Sequence, residues 1–118
     1  MFHLSLPVAS FAECLAFYEN CFGAEVRMLH ERAANLFVFG GQITFHDKPD
    51  STLDEAQRRE MHFGHVVSHE DWFGIRDRVR DSGCALLKCI APEESPSGRG
   101  KLLLADPSGN LVEINSGL

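Results

Sequence analysis

The sequence predicts an α+β fold, two tandem βαβββ modules forming a curved mixed sheet around a cavity. Three observations lead there. Each half carries one stretch with apolar residues at spacings of three and four, the mark of a helix with one buried face. Each half also carries four strand-length runs separated by Gly, Pro and Asn. Finally, the halves repeat: His3 and Val8 each lie 59 residues before His62 and Val67, and Gly23 lies 60 before Gly83. Neither half alone buries its sheet face well, so pairing the modules is the economical solution.

Taken in order, His3-Leu4-Ser5-Leu6-Pro7-Val8 reads as a first strand. Ser10-Phe11-Ala12-Glu13 has the form of a capping box, Ser and Glu each capping the other's amide. Phe11, Cys14, Leu15, Tyr18, Cys21 and Phe22 then form a helical stripe, and Gly23 supplies the positive φ that ends it. Strands follow at about 25–30, 35–39 and 42–46, the last two joined at a Gly40-Gly41 hairpin turn. The polar stretch 48–60 separates module one (1–47) from module two (61–118). The second module opens with a strand at 62–67 and a cap at Ser68-His69-Glu70-Asp71. A helix follows with Trp72, Ile75 and Val79 on its buried face, ended by Gly83. Strands at about 84–90, 101–105 and 111–115 complete it. The loop 91–100 and the turn Asp106-Pro107-Ser108-Gly109-Asn110 lie between them.

At 118 residues the chain is a single domain of two shared modules. No apolar run approaches the roughly 20 residues that span a bilayer, and Met1-Phe2-His3-Leu4 has no basic or cleavable leader pattern. The expectation is a cytoplasmic protein. Its 11 Lys and Arg are scattered under a net charge of −6, which argues against nucleic acid, since phosphate binding needs a clustered basic surface. The four cysteines include no C-x-x-C pair and read as small apolar residues.

Alternation along strands decides which residues face the cavity. With Leu4 and Leu6 toward the helix, His3 and Ser5 face the other way. With Phe63 and Val67 toward the helix, His62 and Gly64 face inward. In the last strand Val112 and Ile114 take the helix side, leaving Leu111, Glu113 and Asn115 on the cavity side. Any one of these polar residues alone reads most simply as structural. Two histidines at repeat-equivalent positions plus a carboxylate in an apolar strand form a two-His, one-carboxylate set. Such a set suits Fe(II), Mn(II), Ni(II) or Zn(II).

These residues also carry a resemblance. His3-Leu4-Ser5-Leu6-Pro7-Val8, Phe17-Tyr18, Phe22-Gly23-Ala24-Glu25-Val26, His62-Phe63-Gly64-His65-Val66-Val67 and Asp106-Pro107-Ser108-Gly109-Asn110-Leu111-Val112-Glu113 together resemble the vicinal oxygen chelate superfamily. That superfamily includes glyoxalase I, extradiol dioxygenases, fosfomycin-resistance enzymes and bleomycin-resistance proteins. The resemblance covers essentially the whole chain and implies a glyoxalase-like fold with His3, His62 and Glu113 as metal ligands. It also implies a homodimer in which the paired modules come from one chain or are exchanged between two. Glyoxalase I has a carboxylate fourth ligand at the close of its first module. Here the aligned residue is Thr44, a departure that counts against glyoxalase I activity. His46, two residues on along the same face, could be a fourth ligand, a general base or a polar cavity residue.

The expected function is metal-assisted lyase, isomerase or dioxygenase chemistry on a small oxygenated molecule chelated through adjacent oxygens. Ser5, Arg99 and Lys101 are candidate substrate contacts, the two cations for an anionic group. The alternative is a metal-free sequestering protein of the bleomycin-resistance type. His65, three residues from His62, is expected on the opposite face. His69 belongs with the helix cap and His30 with a strand end, while Trp72 and Tyr18 are packing residues.

Overall fold

The computed structural model describes residues 1–117; position 118, the end of the expected second module, lies outside them. Module one runs β1 (His3–Val8), α1 (Phe11–Phe22), β2 (Glu25–His30), β3 (Ala33–Val38) and β4 (Gly41–Asp47). Module two runs β5 (His62–Val67), α3 (His69–Asp81), β6 (Leu86–Ile90), β7 (Lys101–Ala105) and β8 (Leu111–Ser116). Their sheets have the same order, β1-β4-β3-β2 and β5-β8-β7-β6, with β1–β4 and β5–β8 parallel and the other pairs antiparallel. The duplicated βαβββ topology is the one the repeat predicts, and each sheet is hydrogen-bonded separately.

One core joins the two modules. Val8, Cys14, Tyr18, Leu36 and Phe45 from the first share a buried cluster with Trp72, Val79, Leu102, Leu104, Val112 and Ile114 from the second. Helix α1 packs on α3, with the Arg78 guanidinium donating from Nε to the Cys21 carbonyl at 3.1 Å. Tyr18 meets Phe17, Phe22, Phe39 and Phe45 in edge or tilted contacts at centroid distances of 5.2–6.3 Å, each adding about 0.5–1.5 kcal/mol beyond area burial. Trp72 is fully buried and donates Nε1–H to the Ile114 carbonyl at 2.9 Å, which ties α3 to the strand that carries Glu113. Both aromatics are packing residues, as their helical spacing predicts.

A buried polar knot holds the modules in a fixed relation. Tyr18 Oη donates to Asp106 Oδ2 at 2.7 Å, and Asp106 also accepts from the Ser108 and Asn110 amides and from Asn110 Nδ2. Burial pushes the Asp106 carboxyl above its usual 3.8, and these donors oppose the rise. The Tyr18 hydroxyl is raised well above 10 by burial and then by the adjacent carboxylate. Cys14, buried beside the same knot, is pushed up to about 12 by burial first and Asp106 second, so its thiol is an inert core group. The Asp-Pro-Ser-Gly-Asn turn is therefore a docking element, with Ser108 Oγ also accepting the Ala9 amide.

Several local expectations are corrected. Ser10 does not form a capping box: at φ 52° its side chain makes no cap bond, and only its carbonyl starts α1, accepting from Cys14. The polar linker 48–60 carries short elements of its own. It holds a 3-10 turn at Pro49–Ser51 and a short helix α2 (Glu55–Arg59), and α2 carries the real capping box, Asp54 with Gln57. The hairpin turn sits one residue earlier than expected, at Phe39-Gly40 with φ of 57° and 70°. Gly41 already belongs to β4, where a Cβ would come 2.8 Å from the Phe2 carbonyl oxygen. Strand β6 begins at Leu86 rather than at 84. Ser68 does cap α3, accepting the Asp71 amide.

Candidate metal centre

Glu113 lies on β8 between two strands of its sheet. Its β5 partner in the register is Gly64, and a Cβ there would overlap the Glu113 carbonyl oxygen. Gly64 thus lets β5 and β8 close tightly, one reason that position is glycine. His62 precedes it by two residues on the same strand face. The result is a convergent pair: His62 Nε2 stands 2.7 Å from Glu113 Oε2, with the imidazole half-exposed and the carboxylate mostly buried. Ligands about 2.1 Å from one ion and at right angles to each other lie roughly 3 Å apart. The donors therefore already have the spacing of neighbouring ligands, and imidazole with carboxylate fits a divalent transition metal.

The second carboxylate oxygen has its own partner, Lys101 Nζ at 3.4 Å from Oε1. Lys101 comes from β7, where its register partner is Asn115 and the partner of Glu113 is Leu103. The buried Oδ1 of Asn115 has no hydrogen-bond partner. An open groove of about 530 Å³ runs over His62, Gly64, Val66, Glu113 and Asn115. Lys101 and Asn115 also line a cavity of about 420 Å³ with Lys88, Ser95, Ser97 and Arg99. Arg99 is braced by donating Nε–H to the Ser116 carbonyl at 2.9 Å. Lys88 and the two serines were not singled out by the sequence. The serines' signal was the composition of the 91–100 loop, which lines this cavity together with Lys88 of β6 and Lys101 of β7.

The first module places its residues differently. His3 is exposed, and among the described residues no group of three or more His, Cys, Asp or Glu stands close enough to hold a metal. A single chain thus brings together His62 and Glu113 but not His3. His46 Nε2 lies 3.1 Å from Ser5 Oγ, so two of the expected cavity residues meet each other. Thr44 donates its hydroxyl to Asn35 Oδ1 at 2.7 Å. His65 is exposed and packs against the Phe39 ring at 5.9 Å, near the junction of the modules. His69 opens α3 with Nδ1 2.8 Å from Ser116 Oγ, and His30 Nδ1 accepts the Arg32 amide. A smaller, apolar pocket of about 200 Å³ lies beside His62, lined by Phe2, Leu4, Leu6, Leu53, Met61 and Phe63.

Comparison with known proteins identifies the family and the fold. The profile of the Glyoxalase/Bleomycin resistance protein/Dioxygenase superfamily matches residues 1–114. The metallothiol transferase FosB of Bacillus licheniformis is 24% identical over 115 residues, spanning 98% of this chain and 73% of FosB. The uncharacterized protein PA2024 of Pseudomonas aeruginosa is 30% identical over 129 residues, spanning 98% of this chain and 86% of that protein. The fosfomycin resistance protein FosX of Listeria monocytogenes, in a crystal structure complexed with Mn(II) and sulfate, superposes with a TM-score of 0.80. It shares 19% identity, with 100% of this chain and 90% of that one covered.

Proposed function

The chain belongs to the Glyoxalase/Bleomycin resistance protein/Dioxygenase superfamily, and we propose that it works there as a metal-dependent enzyme on a small, anionic, oxygenated molecule. The observation that carries this reading is the His62–Glu113 pair standing in an open groove next to a cavity lined by Lys88, Arg99 and Lys101. His62 and Glu113 supply two metal donors and His3 the third. When bound, the ion would act as a Lewis acid toward two adjacent substrate oxygens. The protein's part is to hold the donors, to take the anionic end of the molecule at Lys101 and Arg99, and to present Ser5 and His46 from the other module's face. The FosX crystal structure complexed with Mn(II) makes Mn(II) the first ion to test.

The site is completed by a second copy of the chain. Helices α1 and α3 pack together and the Tyr18–Asp106 knot fixes the modules, while His3 stays apart from the other two donors. A twofold dimer in which His3 of one protomer meets His62 and Glu113 of its partner satisfies the donor set without moving either module. Metal analysis after anaerobic loading should find about one ion per chain. Wild-type protein that stays metal-free with Mn, Fe, Ni and Zn would overturn the reading.

One observation favours a second reading, a sequestering protein: the apolar pocket beside His62 would suit an uncharged organic molecule. Equal binding of such a molecule with and without metal, together with no effect of Glu113→Ala, would establish it.

A further inference from the structure

We propose that Lys101 is a positioning and specificity-determining residue: it holds Glu113 by one oxygen and makes the metal-bound ligand an anion rather than its neutral analogue. This rests on the proposed metal site and deepens it. The two oxygens of Glu113 are divided between different partners, Oε2 at His62 Nε2 and Oε1 at Lys101 Nζ. A carboxylate held in this way has one oxygen for the ion and one for the ammonium, so it takes up a single coordination position. Removing the ammonium frees Oε1 to join Oε2 and occupy a position that the substrate needs.

The charge balance points the same way. A dication facing one carboxylate is left with net positive charge, and the Lys101 ammonium adds to it a short distance from the same carboxylate. Lys101 opposes the metal yet attracts an anion, and its side chain lines the cavity that also holds Lys88 and Arg99. Asn115, directly across the β7–β8 register from Lys101, lines the same cavity, and its buried Oδ1 has no hydrogen-bond partner. The preferred ligand is then a small hydroxy acid whose charge lies next to its chelating oxygens, not at the end of a long tail.

The test uses full-length protein loaded with Mn(II), and glycolate against glycolamide, which carry the same pair of oxygens with and without charge. Mn(II) affinity is read by EPR titration, and ligand binding by perturbation of the Mn(II) signal. Lys101→Met should tighten Mn(II) roughly three- to tenfold and lower the glycolate-to-glycolamide preference about tenfold or more. Lys101→Arg should restore the preference. A merely structural lysine would weaken metal and both ligands together, and thermal melting of both variants identifies a folding defect. Unchanged preference in Lys101→Met, or weaker Mn(II) binding in a folded protein, overturns the role of Lys101 and leaves the metal site standing. Failure of the wild type to bind Mn(II) at all overturns both.

Discussion

The two modules are copies in topology and opposites in chemistry. With β1 laid on β5, the strand registers equate Ser5 with Gly64, Thr44 with Glu113 and His46 with Asn115. Both first strands keep a histidine, His3 and His62. Only the second module pairs it with a carboxylate, and of the equivalent positions Ser5 and Gly64 only the second is a glycine, where a Cβ would overlap the neighbouring strand. In the first module the equivalent hydroxyls are used locally, Thr44 on Asn35 and Ser5 on His46. The shared topology thus gives two similar walls, one carrying the proposed donors His62 and Glu113, the other polar residues bonded to each other.

The largest effect expected from this asymmetry is steric. Gly64→Ala should cost about 3 kcal/mol, because its Cβ would overlap backbone of β8 and not a movable side chain. Ser5→Ala at the equivalent position should stay within about 1 kcal/mol. Urea denaturation of both variants measures the contrast, and similar losses would erase it.

Metal affinity separates the walls next. Glu113→Ala and His62→Ala should each weaken Mn(II) by at least about a hundredfold. Thr44→Ala should leave it within about twofold. Calorimetric or EPR titration decides, and a large loss with Thr44→Ala would make Thr44 a ligand of the first wall beside His3.

The joint between the modules should respond to pH. Because burial raises the folded Asp106 carboxyl above 3.8, its ionisation opposes folding. The contribution of its protonated form is fully present below 3.8 and is lost as pH rises through the folded value. The Tyr18 hydroxyl supports the ionised form, so Tyr18→Phe should cost about 1.5–3 kcal/mol at neutral pH. The deficit should shrink as the pH falls toward 3.8. Denaturation midpoints at several pH values report it, and a pH-independent loss would mean that Tyr18 acts through packing alone.

The smallest effect belongs to His46. Its bond to Ser5 is exposed, so His46→Ala should change stability by less than about 1 kcal/mol. Any large change in Mn(II) affinity in that variant would promote His46 to a ligand.

Much of this was legible in the sequence for a physical reason. Strand alternation and helical spacing are local, and they placed Leu4, Leu6, Trp72, Val79, Val112 and Ile114 toward the core and His62 with Glu113 on one face. Features set by distant partners were not legible. Ser10 looks like a cap, but the chain arrives at α1 in a left-handed turn. The Tyr18–Asp106 bond joins residues 88 apart in sequence. The position of His3 relative to Glu113 depends on how the modules dock, which no periodicity encodes. Lys88 and Lys101 are brought together by the β6–β7 pairing, and Arg99 joins them from the loop that connects those strands.

The central claim is that His3 of one protomer completes the His62–Glu113 pair of another, and mixing two defective variants tests it most directly. His3→Ala and Glu113→Ala are each expected to lose Mn(II). Unfolded together and refolded as a mixture, they would form mixed dimers with one fully native site each. With random pairing, about one Mn(II) per four chains should return. If a single chain supplied all three ligands, every site in the mixture would lack a donor. No recovery of Mn(II) from a mixture shown to contain mixed dimers would contradict the account.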